Sequence, residues 1–578
     1  MSRPSALPLT RAPVSALART PAVAHAVVRA ALRLVSTPGL LSKSPGQPTR
    51  ERSRPLGSPK FARRSTTILT ASCSGMAMLA LGACTVGPKY HPPAPPSPAP
   101  TYKESPKNFK ETEGWKVAQP DQGMLRGKWW QIFHDPELNA LEEQLNVDNQ
   151  NIKQAYENFM VARALVREAR AQYFPTVTTS PSYSRSGSSA NLSGSTATRN
   201  GGIATARGVT SSLYDLPVDV TWAPDLWGKV RNTVREFQYG AQLSAADLEN
   251  ERLIEQASLA QIYFEIRGQD ALQKVLNDTA NADKQSLDLA KARYETGIDT
   301  MISVAQAQAT YESVRAQAIN IGLARAQFEH AIATLIGKPA SSFSIPVKPM
   351  TVEPPPIPIG VPSQLLERRP DIAAAERSMA QANAQIGIAY AAYYPTLTLA
   401  ASGGFESSTL EKLLSWSSRF WAIGGTLSET LFDAGLRRAT VKQFVATYNA
   451  AVAAYKQTVL TAFQQVEDSL AGVRILSQEV PSQKRAVDSA QTSLQLELGR
   501  YQTGIDPYLS VVIAQTTLLS FQQTLINTQV SEMVAAVQLI MALGGGWDRS
   551  QLPTPKEVST LARPPRQSGA PILATVRN

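Results

Sequence analysis

The sequence is poor in the residues from which most active sites are built. Its 578 residues include two cysteines, Cys73 and Cys84, and four scattered histidines, His25, His91, His134 and His330. No histidine has a second His or Cys at metal-ligand spacing, so a zinc site is not expected. With both cysteines in the leader region, disulfides and a thiol nucleophile are excluded from the body. There is no Gly-x-Ser-x-Gly elbow, and Gly337-Lys338 lacks the preceding glycine of a phosphate loop. Gly544-Gly545-Gly546 reads as a helix terminator. The carboxylates stand mostly among Lys and Arg on helical segments, the pattern of solvated faces. Catalysis, a bound metal and a cofactor are therefore not expected. Long apolar runs are missing too, and a mean hydropathy of -0.17 excludes a bundle of membrane-spanning helices.

Net charge also fades once it is located. The chain carries +11, but residues 1–83 hold 12 Lys+Arg against one Glu, which leaves 45 basic and 45 acidic residues in the remainder. The body is neutral and has no basic cluster interleaved with aromatics, so nucleic acid is not an expected partner.

What the N-terminus has is an address. Arg63-Arg64 leads into a short apolar stretch that ends Leu81-Gly82-Ala83-Cys84. Basic n-region, short h-region and small residues before a cysteine form a lipoprotein signal, in which Cys84 is lipidated and becomes the new N-terminus. Thr85 after the cysteine, in place of Asp, fits export to the outer membrane. Residues 88–100 contain seven prolines and read as an extended spacer.

The body is a duplication. Tyr294-Glu295-Thr296-Gly297-Ile298-Asp299 returns 207 residues later as Tyr501-Gln502-Thr503-Gly504-Ile505-Asp506, followed by Pro507. Each copy lies between long helical patterns. Gly297 and Gly504 are placed to end one helix in the left-handed conformation, Asp299 and Asp506 to cap the next, and Pro507 to open its first turn. Both read as tips of antiparallel helical hairpins.

Before each hairpin the period changes from helical to alternating. Strands are expected at about 176–185, 213–222, 396–405 and 421–431. Val218, Val220 and Trp222 share one face of the second, with Asp215, Pro217 and Asp219 on the other. Lengths of roughly 9–11 residues suit tilted membrane-spanning strands, and Tyr173, Phe174, Trp222, Trp227, Tyr393, Tyr394 and Trp421 gather at their ends as an interfacial belt does. Four strands cannot close a barrel, and open edges are not tolerated in lipid, so the strands require several subunits.

Junctions at Asp225 to Gly228 and Asp433 to Gly435 lead into two struts of nearly 70 residues, about 100 Å at helical rise. The second repeats apolar residues at the coiled-coil period from Val441 to Val480, and Pro481 is expected to kink or interrupt it. A helix capped by Asp135 and begun by Pro136 is expected to run to about Tyr173, and the tail from Trp547 to be irregular. The parts are thus 1–83 extension and signal, 84–126 spacer, 127–337 first repeat, 338–366 proline-rich crossing, 367–546 second repeat and 547–578 tail.

Trp129-Trp130 with Phe133 and Asp135, Asp225-Leu226-Trp227-Gly228, Leu335-Ile336-Gly337, Arg368-Arg369-Pro370-Asp371-Ile372 and the two tips, in this order, resemble the outer membrane factor family of TolC-type and OprM-type efflux channels, in a lipoprotein, NodT-type branch. The resemblance implies an α+β membrane protein: long antiparallel coiled-coil hairpins plus four strands per subunit, three subunits sharing a 12-strand barrel and a helical tunnel. It also implies a periplasmic adaptor and an inner-membrane pump, commonly of the resistance-nodulation-division class. On that reading Tyr294, Tyr501 and Tyr508 join the tip turns as adaptor surface. Family members often carry an aspartate ring just inside the second tip; here Ser510 and Ile513 stand at those positions, leaving Asp506 and Asp299 as acids near the aperture. A type I protein-secretion duct and a non-channel periplasmic coiled-coil scaffold are the alternatives.

Overall fold

The computed structural model describes residues 85–97, 102–104, 127–189, 210–350, 353–357 and 365–560, all within one compact unit, Gly75–Asn578. Cys84, the leader, most of the spacer, and parts of the 186–212 loop, the crossing and the tail lie outside the described residues.

The chain enters the body through Trp129, Trp130 and Phe133, each 1% exposed on a 3-10 turn. Burial of each contributes roughly 1.5–3 kcal/mol, and they seat the turn against Tyr263 and Phe264 in the main core. Asp135 then caps α1 (Pro136–Asp148) by accepting from the Glu137 and Leu138 amides, with Pro136 at the first position. The single helix expected to Tyr173 is two. Asn149 leaves helical geometry, accepts from the Ile152 amide to start α2 (Gln150–Ala171), and donates to Glu255 and the Leu335 carbonyl. A side chain that satisfies two backbone groups and a buried carboxylate outweighs one uninterrupted helix.

The expected first strand is also two, β1 (Thr176–Thr179) and β2 (Ser182–Gly187), because Pro181 has no amide to give. Both pair with β3 (Thr210–Trp222) in one continuous register, Thr179 opposite Val218 and Ser182 opposite Asp215. β4 (Thr396–Ser407) and β5 (Arg419–Ser428) complete the antiparallel sheet in the order β1-β3-β4-β5. Across it, Val177, Val220, Ala401 and Ile423 align, as do Val218, Gly403 and Trp421. The neighbouring row, Thr178, Asp219, Ser402 and Ala422, belongs to the other face. One face is therefore apolar and the other small and polar. Trp421 and Ile423 are 79% and 78% exposed on the apolar face, which a soluble sheet would cover.

The struts are α3 (Lys229–Glu295) and α6 (Leu436–Gln502), 67 residues each, and they return as α4 (Met301–Leu335) and α7 (Tyr508–Ala542), 35 residues each. At about 1.5 Å per residue each strut is near 100 Å long. Pro481 does not interrupt α6. It is exposed, so water can satisfy the one carbonyl it orphans, and the flanking rungs carry the helix through. Among the described residues α7 alone is long and apolar enough to cross a membrane, but it packs on α6 and α3 as part of the wall.

Two segments outside the repeated tips act as fasteners. Arg369 binds Asp371, Gln465 and the Ala542 carbonyl, tying the start of α5 (Pro370–Ala391) to both later helices. The described part of the tail, to Thr560, is ordered where irregularity was expected: Thr554 and Glu557 form a capping box on α8 (Pro555–Ser559), and Arg163 and Gln238 of α2 and α3 hold it at Thr560 and Ser559.

Candidate functional site

At the tips each strut ends in the same two backbone bonds. Gly297 N–H donates to Tyr294 O and Ile298 N–H to Arg293 O; Gly504 and Ile505 repeat this on Tyr501 and Arg500. This is the paired 6→1 and 5→2 closure that requires a left-handed residue, and φ is 71° at Gly297 and 77° at Gly504. The glycines do what their placement predicts.

The aspartates do not. α4 is capped at Thr300 and α7 at Pro507, so neither Asp299 nor Asp506 is a helix cap, and Pro507 precedes the first turn rather than opening it. Asp299 instead accepts from the Thr300 amide and the Ser303 hydroxyl, both at 2.7 Å, and from the Tyr501 hydroxyl of the other hairpin at 2.7 Å. Arg293 reaches across as well: it donates to the Gln502 carbonyl at 3.0 Å and lies 4.9 Å over the Tyr501 ring. Burial works to raise the Asp299 carboxyl, but the Tyr501, Ser303 and Thr300 donors and Arg293 outweigh it and hold it below the ordinary carboxylate range. The same contact, after burial itself, raises the Tyr501 hydroxyl. Asp299, Arg293 and Tyr501 together latch the two hairpins to each other.

Asp506 forms a different bond. Both its oxygens accept from Arg500 of its own hairpin, which lowers its pKa. Its charge is answered locally. Of the expected aperture residues, Ser510 is half-buried and Ile513 is 57% exposed, so the second tip presents a paired acid and an apolar side chain.

Surface at the tips also differs from expectation. Tyr294 is exposed, but Tyr501 and Tyr508 are 2% exposed, stacked edge-on at 5.1 Å in a small core with Leu287, Val304 and Val511. They are structural. The exposed apolar surface is Ile298, Met301, Ile302, Ile505 and Leu509, each at least half exposed. Sequence reasoning passed over these and Arg293. A signal was present: the residue after the left-handed glycine normally folds back on its own helix, and an isoleucine that finds no partner there is free for another.

At the far end, Asp225 accepts from the Val230 and Arg231 amides and the Arg231 side chain, while Asp433 accepts from Gly435 and Arg437. Each clamps the first turn of its strut below a left-handed glycine, Gly228 or Gly435. The first described residues lie here. Val86 donates to Trp227 O and accepts from Asn232, and Pro88 accepts from Asn383. Gly87 crosses Gly387 so closely that a Cβ would sit 2.6 Å from its Cα. Tyr90 then donates to Glu376 at 2.6 Å. The chain is strapped down the groove between α3 and α5, with its N-terminal end at the strand-helix junction.

A sheet with an uncovered apolar face, joined to two hairpins of this length and latched at their tips, defines a subunit of a membrane channel with a helical extension. The chain belongs to the outer membrane efflux protein family, whose model matches residues 141–338 and 361–545. It is 31% identical to the probable efflux pump outer membrane protein TtgC of Pseudomonas putida over 83% of this chain and 96% of that one. It is 29% identical to the outer membrane protein OprJ of Pseudomonas aeruginosa over 82% and 95%. The solved structure of the outer-membrane channel OprN superposes with a TM-score of 0.72 at 27% identity, covering 80% of this chain and all of that one. The protein is an outer-membrane component of an efflux system, a channel class rather than an enzyme class.

Proposed function

We propose that three copies close one twelve-stranded barrel and stack their hairpins into a periplasmic duct that passively conducts solutes expelled by an inner-membrane pump of the resistance-nodulation-division class. One observation carries the assembly. Both sheet edges, β1 with β2 and β5, lack a partner among the described residues, while the apolar row Val177, Val220, Ala401 and Ile423 runs unbroken to both. Lipid tolerates neither edge, so β5 of one copy pairs with β1 and β2 of the next. Family resemblance supports the number three.

The duct is shut by the Asp299–Arg293–Tyr501 latch and opened when a periplasmic adaptor packs on the exposed isoleucines at the tips. Lipidation of Cys84 is supported by the strap, since Thr85 touches the junction glycine Gly228, level with the base of the sheet. An acyl chain on the preceding residue would then start near the sheet, as an anchor requires. The test is the native mass of the detergent-purified protein together with its planar-bilayer conductance. A trimer with small intermittent currents is expected, enlarged in Tyr501→Phe. A stable monomer or dimer overturns the shared barrel.

A further inference from the structure

Above the tip core, α3, α6 and α7 leave a cleft of about 540 Å³ that the duct mechanism does not use. Its wall includes Leu494, Leu498 and Leu518, its rim Gln491 and Gln522, and no lysine or arginine lines it. Asp283 and Gln515 line it as well, and both have acceptors that nothing answers. Asp283 is 1% exposed and neither carboxyl oxygen receives a hydrogen bond; Gln515, 5% exposed, donates to Ser286 at 3.2 Å but leaves its own oxygen unpaired. The other acid of the cleft, Asp278, is paired with Lys274 at 2.9 Å. Three buried acceptors without a donor are a standing cost in a folded protein.

A water molecule would bring donors but no charge. An ammonium brings up to three donors and the missing charge together, and the leucines suit an apolar body attached to it. We propose that this cleft binds small organic monocations that carry a primary or secondary ammonium on an apolar body, with Asp283 as counter-charge and the Gln515 oxygen as second acceptor. The ammonium reaches the carboxyl by rotation of the Asp283 side chain into the cleft. The site is in the helical wall and does not depend on the docking reading above.

Burial lifts the Asp283 carboxyl to about 6. The groups around it are Tyr508, Ser286 and Gln515, with Asp278 held by Lys274 on α3, and the stretches of α6 and α7 that line the cleft contribute amides and leucines only. Binding therefore strengthens as pH rises through this value. Tyr508, in the same cluster, packs on Tyr501.

The experiment is isothermal titration of the purified full-length protein with 4-phenylbutylamine at about pH 8, with 4-phenylbutanol as the uncharged control; micelle partitioning does not saturate. Saturable binding of the amine and none of the alcohol is expected, weakened at least about tenfold in Asp283→Asn and again at about pH 5. Leu518→Trp, which fills the cleft and leaves the charge, also abolishes it. Equal affinity in Asp283→Asn, equal binding of the alcohol, or no saturable binding by the unmodified protein overturns the site. The native mass and melting profile of each variant separate lost binding from lost fold.

Discussion

The two tips share their residues at a fixed offset, yet they have become different devices. Arg293, Tyr294, Gly297 and Asp299 stand 207 residues before Arg500, Tyr501, Gly504 and Asp506. Tyr294 is 46% exposed and its counterpart Tyr501 is buried. Arg500 binds its own aspartate at the turn, whereas Arg293 stands 3.9 Å from Asp299 and donates instead to the other hairpin. The turn is a property of each hairpin alone. Whether its side chains become latch or surface depends on what lies beside it.

That comparison can be broken most directly at the latch. A hydrogen bond to a charged acceptor is worth roughly 1.5–3 kcal/mol, so Tyr501→Phe should shift the closed tip by about tenfold or more toward open, read as bilayer conductance. Tyr294→Phe, at the matching position, should leave conductance unchanged. Equal effects would erase the distinction between the tips. Next in size, Gly297→Ala and Gly504→Ala each force a left-handed alanine, at about 1–2 kcal/mol. Thermal melting should fall by similar amounts in both, because the turn is common to both copies.

Acid sharpens the contrast further. Asp283, raised to about 6, stabilises the packed hairpins while protonated. Its contribution is complete below the unfolded carboxylate range near 4 and is lost as pH rises through about 6, up to about 3 kcal/mol. Asp299 is lowered, so its contribution is present above the unfolded range and lost as pH falls through its own depressed value. Melting scans should therefore show a decline between about pH 4 and 7 that Asp283→Asn removes, and a separate acid-side loss that Asp299→Asn removes. The smallest effect is expected from Arg500→Ala, which breaks a largely exposed pair inside one hairpin. Conductance should not change; a rise would place the Arg500–Asp506 pair in the latch.

The struts repeat the lesson on a larger scale. Both are 67 residues long, but α3 buries 25 residues and α6 eight, with Val445, Leu460, Ile475 and Leu496 of α6 left exposed. α3 is enclosed by α2, α4, α5, α7 and α8 of its own chain, and in the proposed trimer a neighbouring subunit would cover α6. The 3.5-residue period of α6 was legible because it is local. Which part of that seam is filled within one chain was not, since the period says only that a partner is needed.

By itself the sequence determined the duplication, the strand faces, the strut lengths and the left-handed turn glycines. Each follows from spacing along one chain, through helical or pleated period and the φ that only glycine takes without strain. Tertiary structure alone decided that Asn149 divides a helix, that Tyr501 and Tyr508 are core, that Asp299 binds across hairpins and Asp506 within one, and that Asp283 is left unanswered. Those outcomes depend on which donors and apolar surfaces distant segments bring within a few ångströms, and that proximity is created only when the hairpins pack.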